Sequence, residues 1–305
     1  MAISRAQMMK ELLPGLNALF GLEYAQYENE SSEIYDMESS DRAFEEEVQL
    51  AGFGQAPVKS EGSAITYDTS QEVFTARYNH ETVAMGFAIT EEAVEDNLYD
   101  ALSSRYTKAL ARAMSYTKQV KAVFPLNNGF NDAVFTAGDG AALCSTAHPR
   151  VDGGNNANAP ATLSDLNETS LEQAVIDIAA FTDQRGLKIA ARPRKLIIPP
   201  DSTFVATRIL ESERRVGTAD NDINALRTNG SIPDGWRVNH FLTDSDAWFV
   251  ITDVPDGMKG FNRTPLQTSM DGDFDTGNVR YKARERYSFG VSDPLGIYGS
   301  DGSGS

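Results

Sequence analysis

The chain has 305 residues, 41% of them hydrophobic, and a formal net charge of −17 from 27 basic and 44 acidic residues. That apolar share supports a substantial core in one large or two medium domains, while the acidic surplus excludes a protein that binds DNA as a whole by neutralising phosphates. A single cysteine, Cys144, excludes an intrachain disulfide framework and a thiolate zinc cluster. No apolar run approaches the ~20 residues of a membrane helix, and the start lacks the continuous apolar core of a secretory signal, so synthesis in the cytoplasm without a membrane partner is expected.

In chain order, residues 4–20 carry Leu12, Leu13, Leu16, Leu19 and Phe20 in an irregular helical stripe interrupted by Pro14, which predicts a short amphipathic segment. The stretch 28–47 holds nine acids against one base, Arg42, with no clear period, and reads as an extended arm or a disordered segment. Residues 51–89 contain two β-rich runs around a polar turn at Asp68 to Gln71, a long hairpin with neither face strongly apolar. An isolated hairpin of that kind is marginal in water, so it is expected to lean on something else.

Thr90 is placed to cap a helix over 90–124, where Val94, Leu98, Leu102, Tyr106, Leu110 and Met114 recur every fourth residue up to the stop at Pro125. Its acids lie early and its bases late, as the helix dipole favours, and its length of ~50 Å makes it a spine across the molecule. Residues 126–162 read as short strands and long loops. A helix over 170–184 ending at Gly186, a buried strand in RKLIIPP and a helix in DSTFVATRILES make a compact α+β unit. Two strands turning at Asp244 to Asp246 follow, then a final basic strand and a flexible GSDGSGS tail.

Chemical motifs are scarce. CSTAHPR brings Cys144 and His148 close in sequence, but no third orienting group or oxyanion hole accompanies them, so a loop cysteine and histidine is the better reading. Asp271, Asp273 and Asp275 have calcium-loop spacing, yet Thr276 and Lys282 stand where glycine and an acidic twelfth ligand are required. His80, His148 and His240 form no zinc spacing, and no phosphate-cradling glycine loop occurs. No catalytic, cofactor or metal site is therefore expected.

Several stretches carry a family resemblance by their order and spacing: MGFAITEEAVEDNLYDALSSRYTKALARAMSYTK, LCSTAHP, RPRKLIIPPDSTFVATRILES, the hairpin LTDSDAWFVITD and ERYSFGVSDPLGIYGS. From about residue 30 to 300 the chain resembles the major capsid proteins of tailed bacteriophages, with the α+β Hong Kong 97-like fold, and within them Mu-like head subunits. The resemblance implies an N-terminal arm (1–50), an extended β-hairpin loop (51–88), a peripheral domain (89–160) that includes the spine helix, an axial domain (161–255), and peripheral return strands with the tail (256–305). It also implies a structural, non-enzymatic subunit forming pentamers and hexamers of an icosahedral virion shell around double-stranded DNA, bound without sequence specificity and assembled in host cytoplasm.

A portal protein is an implied partner, with a decoration protein left open. Many relatives carry a long scaffolding segment before the arm; Met1 lies too close to the arm for one, so a separate scaffold is expected. The alternatives are another oligomeric phage-particle protein or a soluble hydrolase.

One pattern asks for its own explanation. In RYKARERYSFGV, read as a strand, Arg280, Lys282, Arg284 and Arg286 share a face opposite Tyr281, Ala283 and Tyr287. Like charges on one strand face repel unless an acidic partner meets them. The candidate intersubunit contacts are therefore these four cations and arm acids such as Glu45, Glu46 and Glu47, with Lys59, the only lysine of the extended loop, and Arg77; a solvated basic face with partners in the same chain and contact with packaged DNA are the alternatives.

Overall fold

The computed structural model describes residues 5–27, 29–90, 92, 99–215, 222–273 and 277–302. Its elements begin with α1 (Arg5–Gln26), a 3-10 turn (Glu30–Glu33), β1 (Asp36–Ser39), β2 (Phe44–Leu50), β3 (Glu72–Asn79) and β4 (Glu81–Ile89). Then come α2 (Tyr99–Asn127), β5 (His148–Pro149), β6 (Asn155–Asn156), α3 (Glu168–Ala179), β7 (Pro193–Ile198), α4 (Thr203–Glu211) and α5 (Ala225–Thr228). The last are β8 (Trp236–Val238), β9 (Trp248–Thr252), β10 (Met258–Gly272), β11 (Val279–Val291) and β12 (Ile297–Ser300).

Two four-stranded sheets organise these elements. The first has the order β1-β10-β11-β4, built on the long antiparallel β10–β11 pair, with β1 parallel to β10 and β4 antiparallel to β11. α1 and α2 cover one of its faces through Leu16, Phe20, Leu110, Ala111 and Met114, which pack on Tyr281 and Ala283. The second sheet has the order β12-β9-β7-β8, and α3, α4 and α5 bury Leu171, Ile178, Ile209 and Leu226 with its Leu196, Trp248 and Val250. Between the two, Ala122, Val123 and Leu126 at the end of α2 meet Ile197, Phe249, Met258, Val291 and Ile297, so the spine helix joins both cores. Its 29 described residues span ~44 Å.

Several expectations need correction. The hairpin is not formed within 51–88: residues 51–71 are irregular, with left-handed backbone at Gly52 and Gly62 and a proline at 57, and β3 pairs instead with β2 from the acidic arm. The run 72–89 breaks at His80 into β3 and β4, which join different sheets. His80 is buried at the break, hydrogen-bonded to Ser40 Oγ (2.9 Å) and Ser288 Oγ (3.0 Å). The arm over 29–50 is folded onto its own chain as the 3-10 turn, β1 and β2.

α1 runs through Pro14 as one helix, because burial of Leu16 and Phe20 on the spine outweighs the ~3 kcal/mol that an internal proline costs. α2 likewise continues past Pro125, with Leu126 buried; its expected first turns, including Glu91, Val94 and Leu98, lie outside the described residues. α3 starts at a capping box on Asn167 and ends at Ala179, before 184. Phe181 then turns into the core, and Asp183 Oδ1 accepts the amides of Arg185 and Leu187 around Gly186, whose φ is 79°. β8 and β9 are not a hairpin, since both flank β7, one parallel and one antiparallel. The basic strand is not the last: β12 inserts beside β9, so 299–302 are partly or fully buried, where a flexible tail was expected.

Candidate assembly surface

β11 alternates between its two sides over 279–286. Val279, Tyr281, Ala283 and Glu285 are buried toward the helices, while Arg280, Lys282 and Arg284 are exposed and Arg286 is half-buried on the other face. On that outer face the strand neighbours are small or polar. Along β4 they are Ala88, Gly86, Ala84 and Thr82, opposite residues 280, 282, 284 and 286 respectively; along β10 they are Asp271, Ser269, Gln267 and Thr264. The four cations therefore stand as a ridge above a low surface. Arg280 pairs with Asp273, and Arg286 donates to the Ala43 carbonyl (3.4 Å). Among the described residues the side chains of Lys282 and Arg284 have no hydrogen bond or ion pair.

The arm acids proposed for that ridge are occupied elsewhere in the chain. Glu47 receives Lys259 Nζ at 2.6 Å, and the same ammonium lies 2.7 Å from Asp256 and 3.4 Å from Glu38. Burial opposes the charge on Lys259, but its bonds to Asp256 and Glu47 win and push its pKa up. Glu46 pairs with Arg77 (3.7 Å), whose guanidinium stacks 4.0 Å over the Phe44 ring. Glu45 accepts from Ser40 Oγ (2.7 Å) and lies 3.7 Å from Arg42. Glu33 holds Lys195 (2.7 Å) and Arg237 (3.5 Å), and Glu30 holds His240. Lys59 is exposed in the irregular 51–71 segment.

Sequence reasoning missed what lies beneath the ridge. Glu285 is the one acid in the buried row of β11, with its side chain 2% exposed. It accepts from Lys118 Nζ on α2 (3.5 Å) and Tyr24 Oη on α1 (3.4 Å), while its Oε1 has no partner. Burial pushes its pKa up, and Lys118 only partly offsets this. The cluster ties both helices to the strand that displays the cations. The signal was present in the sequence, as an acid at the position in RYKARERY where the alternation demands an apolar residue.

Cys144 and His148 do not form a catalytic pair. Burial pushes the Cys144 thiol well above its ordinary range. His148 is fully engaged, with Nδ1 2.6 Å from Asp139 Oδ2 and Nε2 2.9 Å from Asn158 Oδ1. Asn158 is oriented by its amide, which donates to the carbonyls of Leu143 (2.7 Å), Pro294 (2.8 Å) and Ile297 (3.1 Å). Its Oδ1 therefore faces the ring. The result is a clasp that holds the loops of 137–158 onto the approach to β12. Of the calcium-like segment, Asp275 and Thr276 lie outside the described residues, and Asp273 is taken by Arg280. Among the described residues no group of three or more His, Cys, Asp or Glu side chains is placed to hold a metal, and no helix is long and apolar enough to cross a membrane.

The architecture recurs in solved structures. The capsid of Myoviridae phage XM1 matches with a TM-score of 0.52 at 14% identity, covering 88% of this chain and 89% of that one. The capsid of a native GTA particle matches with a TM-score of 0.54 at 13% identity, covering 89% of each chain. A virus-like particle from Pyrococcus furiosus matches with a TM-score of 0.53 at 10% identity, covering 95% of this chain and 99% of that one. At such identities the likeness is one of fold. No curated protein matches the chain by sequence. The model of the family described as phage capsid protein, however, matches residues 73–300, which takes in β3 from its second residue, β4, the spine helix, the first sheet without β1, the whole second sheet and the basic ridge. The chain thus belongs to the phage capsid protein family, as a structural major capsid protein with the Hong Kong 97-like fold.

Proposed function

We propose that this subunit closes, as pentamers and hexamers, into an icosahedral virion shell that encloses packaged double-stranded DNA, assembled in the host cytoplasm with a portal and a separate scaffold protein. Its work is assembly and involves no chemical turnover. The observation that carries this reading is the family match over residues 73–300, together with a molecule that displays surfaces its own chain leaves unused. Phe53, Val58, Ile65 and Tyr67 on the 51–71 segment are 62%, 98%, 57% and 85% exposed, an apolar display that fits contact with neighbours.

In this reading residues 1–50 are the arm, whose α1, β1 and β2 pack on their own chain, and 51–88 the loop, whose irregular 51–71 part reaches over adjacent subunits. The β10–β11 pair with α2 is the peripheral body (89–160 and 256–296), its sheet completed by β1 of the arm and β4 of the loop, and the β12-β9-β7-β8 unit (161–255 with 297–302) is the axial one. Placement among Mu-like head subunits rests on the sequence resemblance. The net charge of −17 suits an inner wall along which DNA slides without sticking. The ridge of Lys282 and Arg284, with Arg280 and Arg286, docks an acidic segment of a neighbouring copy and fixes its register.

The test is the double substitution Arg284→Glu with Arg286→Glu, both near the surface and neither at the centre of a core. Shell formation with scaffold at physiological salt, followed by sedimentation, is expected to fall at least about tenfold while the monomer's thermal stability stays nearly unchanged. Normal assembly of the double variant would remove the ridge from the contact.

A further inference from the structure

The first sheet is finished at one edge and open at the other. β1 closes the β10 side as a strand of four residues, whereas β4 offers nine residues, Glu81–Ile89, with no backbone partner beyond β11 among the described residues. Folded proteins blunt such an edge with a charge, a proline or a bulge. From Thr82 to Thr90 there is none of these, since the stretch reads TVAMGFAIT and pairs with β11 in unbroken register.

The two faces beside this edge differ. On the helix side Met85 is 54% exposed, and Tyr106, whose ring centroid lies 5.6 Å from that of Phe87, is 44% exposed. On the outer side Thr82, Ala84, Gly86 and Ala88 are too small to screen the cations of β11. A further strand would lie ~10 Å from β11, two strand spacings away, which an arginine and a carboxylate span together over such small residues.

A segment with the complementary pattern exists in the same chain. Residues 64–68, AITYD, have β-branched and aromatic character and alternate. If Ile65 and Tyr67 face one way, Thr66 and Asp68 face the other. Their own backbone makes no strand pairing, and the segment is tied at its end to the far turn by Arg185 Nη2 to the Thr69 carbonyl (2.6 Å). Glu61, exposed, and Asp68, held by the amides of Gly54 and Thr69 (2.8 Å each) and 3.9 Å from Arg185 of the same chain, bracket it with negative charge, and docking exchanges that long ion pair for the ridge.

We propose that residues 64–68 of a second copy add to the open edge of β4 as a fifth strand, with Ile65 and Tyr67 against Met85 and Tyr106 and Asp68 toward Lys282 and Arg284. This rests on the shell-subunit reading and names the partner of the ridge within it. Main-chain hydrogen bonds supply the adhesion, and the two-faced pattern selects the register.

Hydrogen exchange on the isolated chain and on assembled particles tests it, with no need to know the register beforehand. Thr82–Ile89 and 64–68 are expected to slow together on assembly by at least about tenfold. In parallel, Ala84→Cys with Thr66→Cys, Thr82→Cys with Thr66→Cys and Ala88→Cys with Thr66→Cys are oxidised in particles. Intersubunit disulfides in at least one pair, and in neither matching single variant, are expected. Particles in which 64–68 stay unprotected and no pair crosslinks would overturn the strand addition while leaving the shell reading intact. Failure to form any particle with scaffold would overturn the shell reading, and this inference with it.

Discussion

Replacing Lys118 with Met removes the only cation paired with Glu285 among the described residues and keeps the length and apolar stem of the side chain. The Glu285 side chain is 2% exposed and that of Lys118 14%, so the carboxylate cannot recover its charge balance from water. Breaking a buried pair of this kind costs ~3–5 kcal/mol. The 3.5 Å separation and the surviving Tyr24 hydroxyl at 3.4 Å place the cost at the lower end, about 3 kcal/mol. With an unfolding entropy of ~2.1 cal/mol/K per residue over the chain, that lowers Tm by about 5 °C.

The loss must also depend on pH. Because the folded-state pKa of Glu285 is raised, the folded chain holds that proton more tightly than the unfolded one. Stability from this group is therefore highest in acid and falls as pH climbs from the ordinary carboxylate range through the folded value. Removing Lys118 raises that folded value further, so the deficit is full near pH 8 and fades toward pH 4. Thermal melts of the unassembled chain across that range measure it, and adding Glu285→Gln to Lys118→Met should restore most of the loss and flatten the pH dependence. A deficit that is constant with pH, or a double variant no better than the single one, would refute the reasoning.

Three further outcomes follow from the clasp and the close backbone approaches. Asp139→Asn, in a pair whose side chains are 1% and 4% exposed, should cost about 3 kcal/mol near neutrality. Although burial raises the Asp139 pKa, the bond to His148 and its charge hold it below the usual range, so urea titrations should show the cost fading as pH falls through that depressed value. Gly296→Ala should lower Tm by several degrees, because its Cβ would overlap the Cα of Gly257, where one on Gly257 would reciprocally lie 2.6 Å from Cα of Gly296, and neither backbone can yield cheaply. The Cys144 thiol, 4% exposed, should react with a thiol reagent at least about a hundredfold more slowly in the folded chain than in urea, followed by the absorbance of the released thiolate.

The strands and helices that sit on a clear period were legible in the sequence. The spine helix declared itself by its every-fourth-residue apolar row, and β11 by its alternation. What failed were pairings. β2 and β3 are separated by a segment that reads as strand but carries glycines and a proline, and β-propensity cannot say which of two runs finds the partner. β12 looked like tail because GSDGSGS is flexible by composition, yet Ile297 and Tyr298 just before it bury into the second core and draw Gly299 and Ser300 with them. The ridge was legible as a face, but its partners within the chain were not: the arm acids find Lys259, Lys195 and Arg77, which lie far from them in sequence.

The most direct test of the account is electron microscopy of particles purified after the chain is expressed with its scaffold. Closed shells with fivefold and sixfold clusters, whose subunits show the β1-β10-β11-β4 sheet along the spine helix, are the predicted result. A uniform population of monomers, or open tubes without fivefold vertices, would contradict it.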